Sequence, residues 1–442
     1  MGLERAAWEE LAARAQGLLR PGEHVLLAYA GEDSDFVRFN HARIRQAGQV
    51  SQGLLTIELI RSHRHASVSC RLGADRGSDG DSADLGALIA GLRAQLTALA
   101  EDPHLLYSES AAGSVREEPA PPPASAAALE VLLADGDLDL VGLWASGSIQ
   151  RGFASSFGQR SWHRVHTFNA SWSCHPAADR SASGAYAGTA FAAAELARRV
   201  AATRTECAGL ARPAAAIAPG RYRTYFAPAA VRELLALLGW DGFSLKAQRA
   251  RTSPLLRLAQ GDARLHAGIT LSEDRAGGLA PCFTATGFAT PAQVPLITEG
   301  ALDQPLVGPR SAREFSLTPN AEDESPHSLA LAAGELPSAQ ALARLGRGLW
   351  LGHLWYCNFS DPNACRITGL TRFACWWVED GEIRAPLPVM RFDDSIYGLF
   401  GERLLGITAE REQLQSDSTY GERSLDSMLL PGLLVEDLAL TL

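Results

Sequence analysis

Apolar and polar residues alternate along much of the first seventy positions of the chain. The opening stretch "MGLERAAWEELAARAQGLL" is different, because it mixes glutamates with apolar residues at helical spacing and predicts an amphipathic helix. The stretches "HVLLAYA" and "DFVRFNHARIRQAG" then alternate with the period of half-buried strands. "GLLTIELIRS" and "ASVSCRLG" continue that period and predict a hairpin.

Helical spacing returns at residues 84–102, behind an aspartate suited to capping. The proline-rich segment around 119–123 predicts a polyproline-like surface connection. The next stretch, "LDLVGLWASGSIQRGFASSFGQRSWHRVHTFNASWSC", predicts three or four strands separated by Gly and Ser turns. A helix at 188–210 closes the first half of the chain.

The second half begins with "APGRYRTYFAPAAVRELLALLGW", which predicts a turn, a strand and a helix carrying Pro228 in its first turn. Strands and loops dominate the rest of the second half, with one clear helix at 338–345. We therefore place the main domain boundary near Arg212 and predict a strand-rich α/β (α+β) fold of two domains. Residues 1–110 form an N-terminal α/β subdomain, 111–211 a central β-rich segment that completes the first half, and 212–442 a mainly β domain with few helices.

Composition narrows the functional class. The chain has 442 residues, 46% of them hydrophobic, and a net charge of −10, which gives no electrostatic footprint for nucleic acid. No stretch of 18 uncharged apolar residues predicts a membrane span, and the glutamates of the first helix argue against a signal peptide. Seven cysteines without paired short spacings are typical of reduced thiols, so we expect a cytoplasmic protein.

The histidines do not suggest a metal centre. His163 and His166 in "SWHRVH" would meet on a helix, but their flanks predict a strand, on which the two rings point to opposite faces. His63 and His65 fall at a polar hairpin turn, where solvation is the simpler interpretation. The chain contains no H-E-x-x-H, C-x-x-C, G-x-S-x-G or P-loop motif, and "GLWASGSIQRG" lacks the context of a dinucleotide site.

The cysteine-containing region of the second half predicts a hairpin. In "FACWWVEDGEIRAPLPVMRF" a nearly continuous apolar run fits a strand buried on both faces, "EDG" is a turn signal, and a second strand returns. Cys357, Cys365 and Cys375 are eight and ten residues apart, which matches no compact zinc spacing, although His353 lies nearby. No cation flanks them to activate a thiolate, so we expect all three to be reduced and mostly buried.

Four stretches, taken in order, resemble the TldD/PmbA family. They are "DFVRFNHARIRQAGQVSQGLLTIELI", "ASSFGQRSWHRVHTFNASWSC", "PGRYRTYFAPAAVRELLALL" and "LGHLWYCNFSDPNACRITGLTRFACWWVEDGEIRAPLPVMRFDDSIYGLF". The resemblance covers the whole chain and implies that family's fold. The two branches of the family, TldD and TldE (also called PmbA), form a heteromeric zinc metallopeptidase that cleaves unfolded or modified peptides.

The chain departs from the peptidase branch at the metal site. In that branch the helix after "PGRY…P" carries H-E-x-x-x-H, whereas Leu235, Ala236 and Leu237 stand roughly at the first histidine and the glutamate here. The peptidase branch also supplies a cysteine ligand near its C-terminus, and no cysteine follows Cys375 in this chain. The resemblance therefore implies a non-catalytic TldE-like subunit that has no catalytic or metal-ligating residues and binds no cofactor.

The resemblance also implies the partners: a TldD-like chain with H-E-x-x-x-H, which holds the zinc, and an extended peptide substrate. Two alternatives stay open. One is a self-sufficient hydrolase that draws carboxylates from 318–327 and 390–395, although exposure in solvated loops explains these acids more simply. The other is a peptide-binding scaffold without a peptidase partner.

Overall fold

A computed structural model describes residues 2–72, 78–121, 124–134, 136, 138–177 and 180–441. Residues 122–123 of the proline-rich connection therefore lie outside the described residues. The helices and strands of the first half are α1 (Arg5–Gly17), β1 (His24–Asn40), β2 (Arg43–Arg61), β3 (Arg64–Arg71), α2 (Ser78–Leu96), β4 (Val115–Glu117), α3 (Ser125–Leu132), β5 (Leu140–Ser155), β6 (Arg160–Ala177), β7 (Arg180–Gly188) and α4 (Ala193–Leu210).

The strands of the first half form one sheet in the order β3-β2-β1-β5-β6-β4, with β7 also paired to β6. Large aromatic side chains, among them Trp144 and Trp162, fill the face on which the helices pack. The first helix is amphipathic, as predicted, and buries Trp8 and Leu11 against the sheet. The predicted helix at 84–102 is α2, but it begins and ends about six residues earlier.

The elements of the second half are β8 (Gly220–Phe226), α5 (Pro228–Leu238), α6 (Leu245–Ala250), α7 (Leu256–Ala259), β9 (Leu271–Asp274), β10 (Gln293–Thr298), β11 (Ala301–Leu302), α8 (Pro309–Phe315), β12 (Ser328–Leu331), α9 (Ala341–Leu345), β13 (Gly348–Leu351), β14 (Leu354–Asp361), β15 (Arg366–Thr371), β16 (Cys375–Glu379), β17 (Glu382–Pro386), β18 (Arg391–Ser395), α10 (Ile396–Leu399), β19 (Leu404–Gln415) and β20 (Ser427–Leu440). The predicted helix at 338–345 is a short 3-10 turn that continues as α9. The helices α6, α7, α8 and α10 were not predicted, because four to seven residues are too few to show a helical period.

A second sheet runs in the order β11-β10-β9-β12-β20-β8-β13-β16-β17. Four more strands join it at β20: β18 and β19 each pair with β20, β15 pairs with β18, and β14 pairs with β15. The last strand, β20, lies inside the sheet, parallel to β12 and antiparallel to β8. The helix α5 packs on β20 through a large apolar core. The two sheets confirm the predicted strand-rich α+β class, although the described residues of the second half include six helices, more than predicted.

The predicted cysteine-containing hairpin is confirmed. Strands β16 and β17 pair across a tight turn in which Asp380 and Gly381 both have positive φ. Cys365 and Cys375 are buried, Cys357 is half-buried, and all three are free thiols.

The expectation that every cysteine is reduced is wrong at one pair, because Cys174 and Cys207 form a disulfide. These residues lie on β6 and α4, and packing of the helix on the sheet brings their Cα atoms to 6.5 Å, within the range a disulfide spans. They are 33 residues apart in the sequence, so no short spacing reveals the pair. Within the described residues, none of the helices is both long and apolar enough to cross a membrane.

Candidate functional site

The helix α5 occupies the place where the resemblance puts the zinc-binding helix of the peptidase branch. It begins after an extended Ala227 with Pro228 in its first turn, as predicted. Leu235 and Leu237 are 1% and 3% exposed and pack into the core, whereas Ala236 is exposed. A leucine has no donor atom for a metal, so these two positions serve packing.

One imidazole lies beside α5. The Nε2 atom of His353 is 3.9 Å from Oε1 of Glu233, and its Nδ1 atom hydrogen-bonds to the Leu354 carbonyl. Burial lowers the pKa of His353, although the Glu233 carboxylate opposes this shift. The imidazole is therefore neutral at pH 7, and because its Nδ1 carries the proton donated to the Leu354 carbonyl, its Nε2 atom can only accept a hydrogen bond.

A zinc ion does not fit this corner of the molecule. Burial, reinforced by the Glu233 charge, raises the pKa of the nearby Cys357 thiol to about 12, so this thiol is protonated at neutral pH. Glu233 and His353 alone supply two of the four ligands of a tetrahedral site. Among the residues that the structure describes, no three His, Cys, Asp or Glu side chains come together in a metal-binding arrangement.

The sequence predictions for the other histidines are confirmed except at His65, which lies on β3 and is half-buried rather than solvated in the turn. His163 and His166 both lie on β6, three residues apart, and their side chains point to opposite faces of the sheet. His163 is buried, and burial lowers its pKa to about 3. His63 lies exposed in the turn between β2 and β3, while His65 pairs with Glu58 at 2.6 Å.

The interpretation of the acids in 318–327 and 390–395 as solvated loop residues is wrong at two positions. Glu324 is 8% exposed and accepts hydrogen bonds from the Ser244 hydroxyl at 2.6 Å and from the Lys246 amide at 2.9 Å, at the start of α6. Asp394 is 2% exposed and pairs with Arg403 at 2.6 Å. Both carboxylates are buried because distant segments supply their donors, and both hold the fold together.

A large cleft lies between the free face of the first sheet and loops of the second half. It encloses about 500 Å³. Ala28 and Ala30 of β1 line one wall, and their small side chains leave room above the strand. The opposite wall is formed by residues 280–285 and by the segment 418–426 between β19 and β20.

Buried polar side chains line this cleft. Arg275 is 3% exposed, donates to the Pro291 carbonyl at 3.1 Å, and lies 3.6 Å from the buried Glu273. Thr290 is 8% exposed, and its hydroxyl has no hydrogen-bond partner among the described residues. A buried polar atom without a partner requires an explanation, and a bound polar ligand would provide one.

His327 lines the same cleft and is held as a cation. Its Nδ1 atom is 2.7 Å from Asp426 and its Nε2 atom is 3.2 Å from Asp323. Hydrogen bonds to these two carboxylates raise the pKa of His327 to about 10. A permanently protonated imidazole cannot act as a general base at pH 7, so this part of the cleft is suited to binding rather than to proton abstraction.

The segment 416–426 crosses the free face of the first sheet and is fastened to it at several points. Arg423 is 4% exposed and donates to the hydroxyls of Ser34 at 2.8 Å and Thr167 at 2.7 Å. Further contacts are Asn169 Nδ2 to the Ser416 carbonyl at 3.0 Å, Gln52 Nε2 to the Gly421 carbonyl at 2.7 Å, and Arg151 to Glu422 at 2.6 Å.

Sequence reasoning missed this cleft. The spacing of Asp323 and His327 is not a usable local signal, because residues four apart become neighbours on a helix and this segment is an irregular loop. The third member, Asp426, is 99 residues away from His327, and the other wall belongs to the first half of the chain. Only the folded structure brings these groups together.

Comparisons with known proteins agree with this architecture. Residues 219–442 match the family model described as the PmbA/TldA metallopeptidase C-terminal domain. TldE from Thermococcus kodakarensis has the same fold, with a TM-score of 0.76, 15% identity, and coverage of 98% of this chain and 99% of that one. A comparison with curated protein sequences finds no match.

Two further solved structures share the fold. A protein of Thermotoga maritima, described as a candidate modulator of a DNA gyrase, has a TM-score of 0.74 at 15% identity, covering 98% of this chain and 100% of that one. A protein of Bacteroides thetaiotaomicron with a similar description has a TM-score of 0.66 at 14% identity, covering 98% and 97%. At these identities the likeness concerns the fold alone.

Proposed function

Because this chain belongs to the TldD/PmbA metallopeptidase family, we propose that it is a non-catalytic, TldE-like subunit of a heteromeric zinc metallopeptidase. The complex acts on unfolded or modified peptides. Its second subunit is a TldD-like chain that carries H-E-x-x-x-H and holds the zinc. Each subunit depends on the other, because the metal and part of the substrate-binding surface lie on different chains.

The packing of α5 carries the proposal. If the zinc-binding residues had simply been replaced, an open pocket could remain where they stand in the peptidase branch. Here Leu235 and Leu237 occupy that part of α5, and both are almost fully buried. Leu234 and Leu238 of the same helix are 0% and 1% exposed. These side chains make α5 part of the hydrophobic core, which supports a structural rather than a catalytic role for this helix.

The cleft supports the second part of the proposal, which is contact with an extended peptide. Its walls carry charges of both signs: Arg151 and His327 are positive, and Glu322 and Glu422 are negative. Such a mixed lining does not select for the net charge of a ligand. The partly exposed Leu54 and the alanines of β1 add apolar surface that side chains of many kinds could contact.

The test is co-expression of this chain with a TldD-like chain from the same host. We expect the two to copurify, the zinc to stay with the partner, and cleavage of an unfolded peptide to require both chains. Cleavage should stop with EDTA or when the glutamate of the partner's H-E-x-x-x-H is changed to glutamine. The chain alone should hold far less than one zinc per molecule.

Two results would overturn this proposal. Cleavage by the pure chain in EDTA would indicate a self-sufficient hydrolase, and full activity of the partner alone would leave only a scaffold role.

A variant in the cleft gives a sharper test of peptide binding. Ala30→Phe should lower cleavage by the complex at least tenfold without preventing copurification. The matched control is Ala7→Phe, on the exposed side of α1, which should leave cleavage unchanged.

A cytoplasmic location is part of the same proposal. Five of the seven cysteines are free thiols, which supports a reducing compartment, whereas the Cys174–Cys207 disulfide counts against it. Recovery of the native chain from outside the cytoplasm in a cell fractionation experiment would contradict it.

A further inference from the structure

A row of side chains crosses the helix-covered face of the first sheet. Asp35 on β1 is directly opposite Ser146 on β5, and Ser146 is directly opposite Phe168 on β6. Directly opposed residues in antiparallel strands point to the same face, with Cβ atoms about 4.5–5.5 Å apart. A carboxylate, a hydroxyl and an aromatic ring therefore lie side by side.

This row forms part of the wall of a second cavity, of about 270 Å³. Ser125, at the start of α3, and Phe191, just before α4, also line it. The volume lies just below the range of about 300–1,000 Å³ typical of pockets for drug-sized ligands. A small molecule fits such a space, whereas a folded partner or an extended peptide does not.

The polar groups of this cavity are only partly engaged with one another. The Ser125 hydroxyl accepts from Trp144 Nε1 at 3.0 Å and lies 3.1 Å from the Ser146 hydroxyl. Among the described residues, Asp35 accepts a hydrogen bond from Gln49 Nε2 at 2.9 Å, and an ionised carboxylate can accept several more. The Nε2 atom of His166 is buried and has no partner among the described residues.

The charge of the lining favours a cation. Burial lowers the pKa of His166, and the neighbouring Arg164 and Arg423 lower it further against the opposing Glu118, so the ring is neutral at pH 7. Among the described residues that line the cavity, this leaves Asp35 as the only formal charge.

The apolar part of the cavity is aromatic. Phe168 and Phe191 meet edge to face, with ring centroids 5.3 Å apart. Aromatic faces attract ammonium groups and pack well against short hydrocarbon chains.

We propose that this cavity binds a small primary ammonium compound with an apolar tail. The ammonium group donates hydrogen bonds to the carboxylate of Asp35 and the hydroxyl of Ser146, and the tail packs against Phe168 and Phe191. A charge-assisted bond to Asp35 provides the selectivity, because a neutral ligand of the same shape lacks it. This site is separate from the large cleft, which lies on the opposite face of the same sheet.

Isothermal titration calorimetry on the unaltered protein gives the first test. The probe is 2-phenylethylamine, and the matched neutral probe is 2-phenylethanol, which has the same size and shape. We expect the amine to bind at least tenfold more tightly than the alcohol at pH 7. Equal affinities, or no heat from the amine at millimolar concentration, would overturn the proposal without any need for a variant.

A pair of variants then locates the site. Asp35→Asn should weaken amine binding at least tenfold, while Asp139→Asn, which removes an exposed carboxylate that pairs with His41, should leave it unchanged. Loss of binding in both variants, or in neither, would contradict the assignment to Asp35. The proposed peptidase role is unaffected by any of these outcomes, since peptide cleavage by the complex is measured separately.

Discussion

The Nε atom of Arg423 donates to the Ser34 hydroxyl at 2.8 Å, which joins the segment before the last strand to the middle of the first strand. The same guanidinium lies 3.4 Å from the Glu32 carboxylate, which is 1% exposed. Burial lowers the pKa of Arg423 to about 10, yet the group stays protonated at pH 7. A buried ion pair thus connects residues 391 positions apart.

Removing the cation of this pair should be costly. We expect Arg423→Ala to lower the free energy of unfolding by about 3–5 kcal/mol, because the carboxylate of Glu32 would stay buried without a counter-charge and keep only hydrogen bonds from the Gln52 amide and the backbone amide of residue 423. Urea unfolding followed by tryptophan fluorescence measures the change. The control Arg43→Ala, at the exposed tip of the β1–β2 hairpin, should change it by less than about 0.5 kcal/mol. Equal effects of the two substitutions would show that the Arg423–Glu32 ion pair contributes nothing to the free energy of unfolding.

The ion-paired cluster of His327, Asp323 and Asp426 makes the free energy of unfolding depend on pH. The folded-state pKa of His327 is about 10, above its ordinary value of 6.5, so the cluster stabilises the fold fully below about pH 6.5 and progressively less as the pH rises to 10. The difference in unfolding free energy between the unaltered protein and His327→Gln should therefore shrink between pH 6.5 and 10. A difference that stays constant or grows over this range would rule out the raised pKa.

The packing of α5 can be tested on the helix itself. Leu235→Ala should destabilise the protein by about 2–5 kcal/mol, because a buried leucine leaves a cavity when it is shortened. Its neighbour Ala236 is exposed, and Ala236→Gln should change the unfolding free energy by less than about 0.5 kcal/mol. Thermal or urea unfolding of both variants gives the comparison. A small effect at Leu235 would mean that this face of α5 is not part of the core.

The buried cysteines should differ in the conditions under which they can be labelled. Burial raises the pKa of Cys365 and of Cys375 to about 12 each, so both should resist iodoacetamide at pH 8 in the native protein and react once it is unfolded. Cys174 and Cys207 should react only after unfolding in the presence of a reductant. Peptide mass spectrometry identifies the labelled positions. Rapid native labelling of Cys375 would contradict its place in the β16–β17 hairpin.

Features encoded within one continuous stretch of sequence were predictable. The strands β1 and β2 show alternation over many residues, and the turn at Asp380 and Gly381 uses residues that tolerate positive φ. The helix α5 was predicted from Pro228 and its apolar face. In each case the pattern and the structure it specifies occupy the same few residues.

Features that depend on distant segments were not predictable. Glu324 and Asp394 looked like solvated acids, because the donors that bury them, Ser244 and Arg403 among others, come from other parts of the chain. The stretch at 138–174 was predicted as three or four strands but forms two long ones, β5 and β6. The sequence also did not show that one face of these strands would meet helices and the other the segment 416–426. The cavity beside Asp35 depends on strand register, which no local pattern fixes.

The position of β20 has a consequence for biosynthesis. This strand follows both β8 and β12 along the chain, yet it separates them inside the second sheet. A nascent polypeptide leaves the ribosome from its N-terminus, so the first sheet can pair while the second half is still being made. Throughout that time β8 and β12 expose unpaired backbone edges, which are templates for aggregation. We therefore expect ribosomes stalled before residue 427 to carry a folded first half and a second half that chaperones recognise.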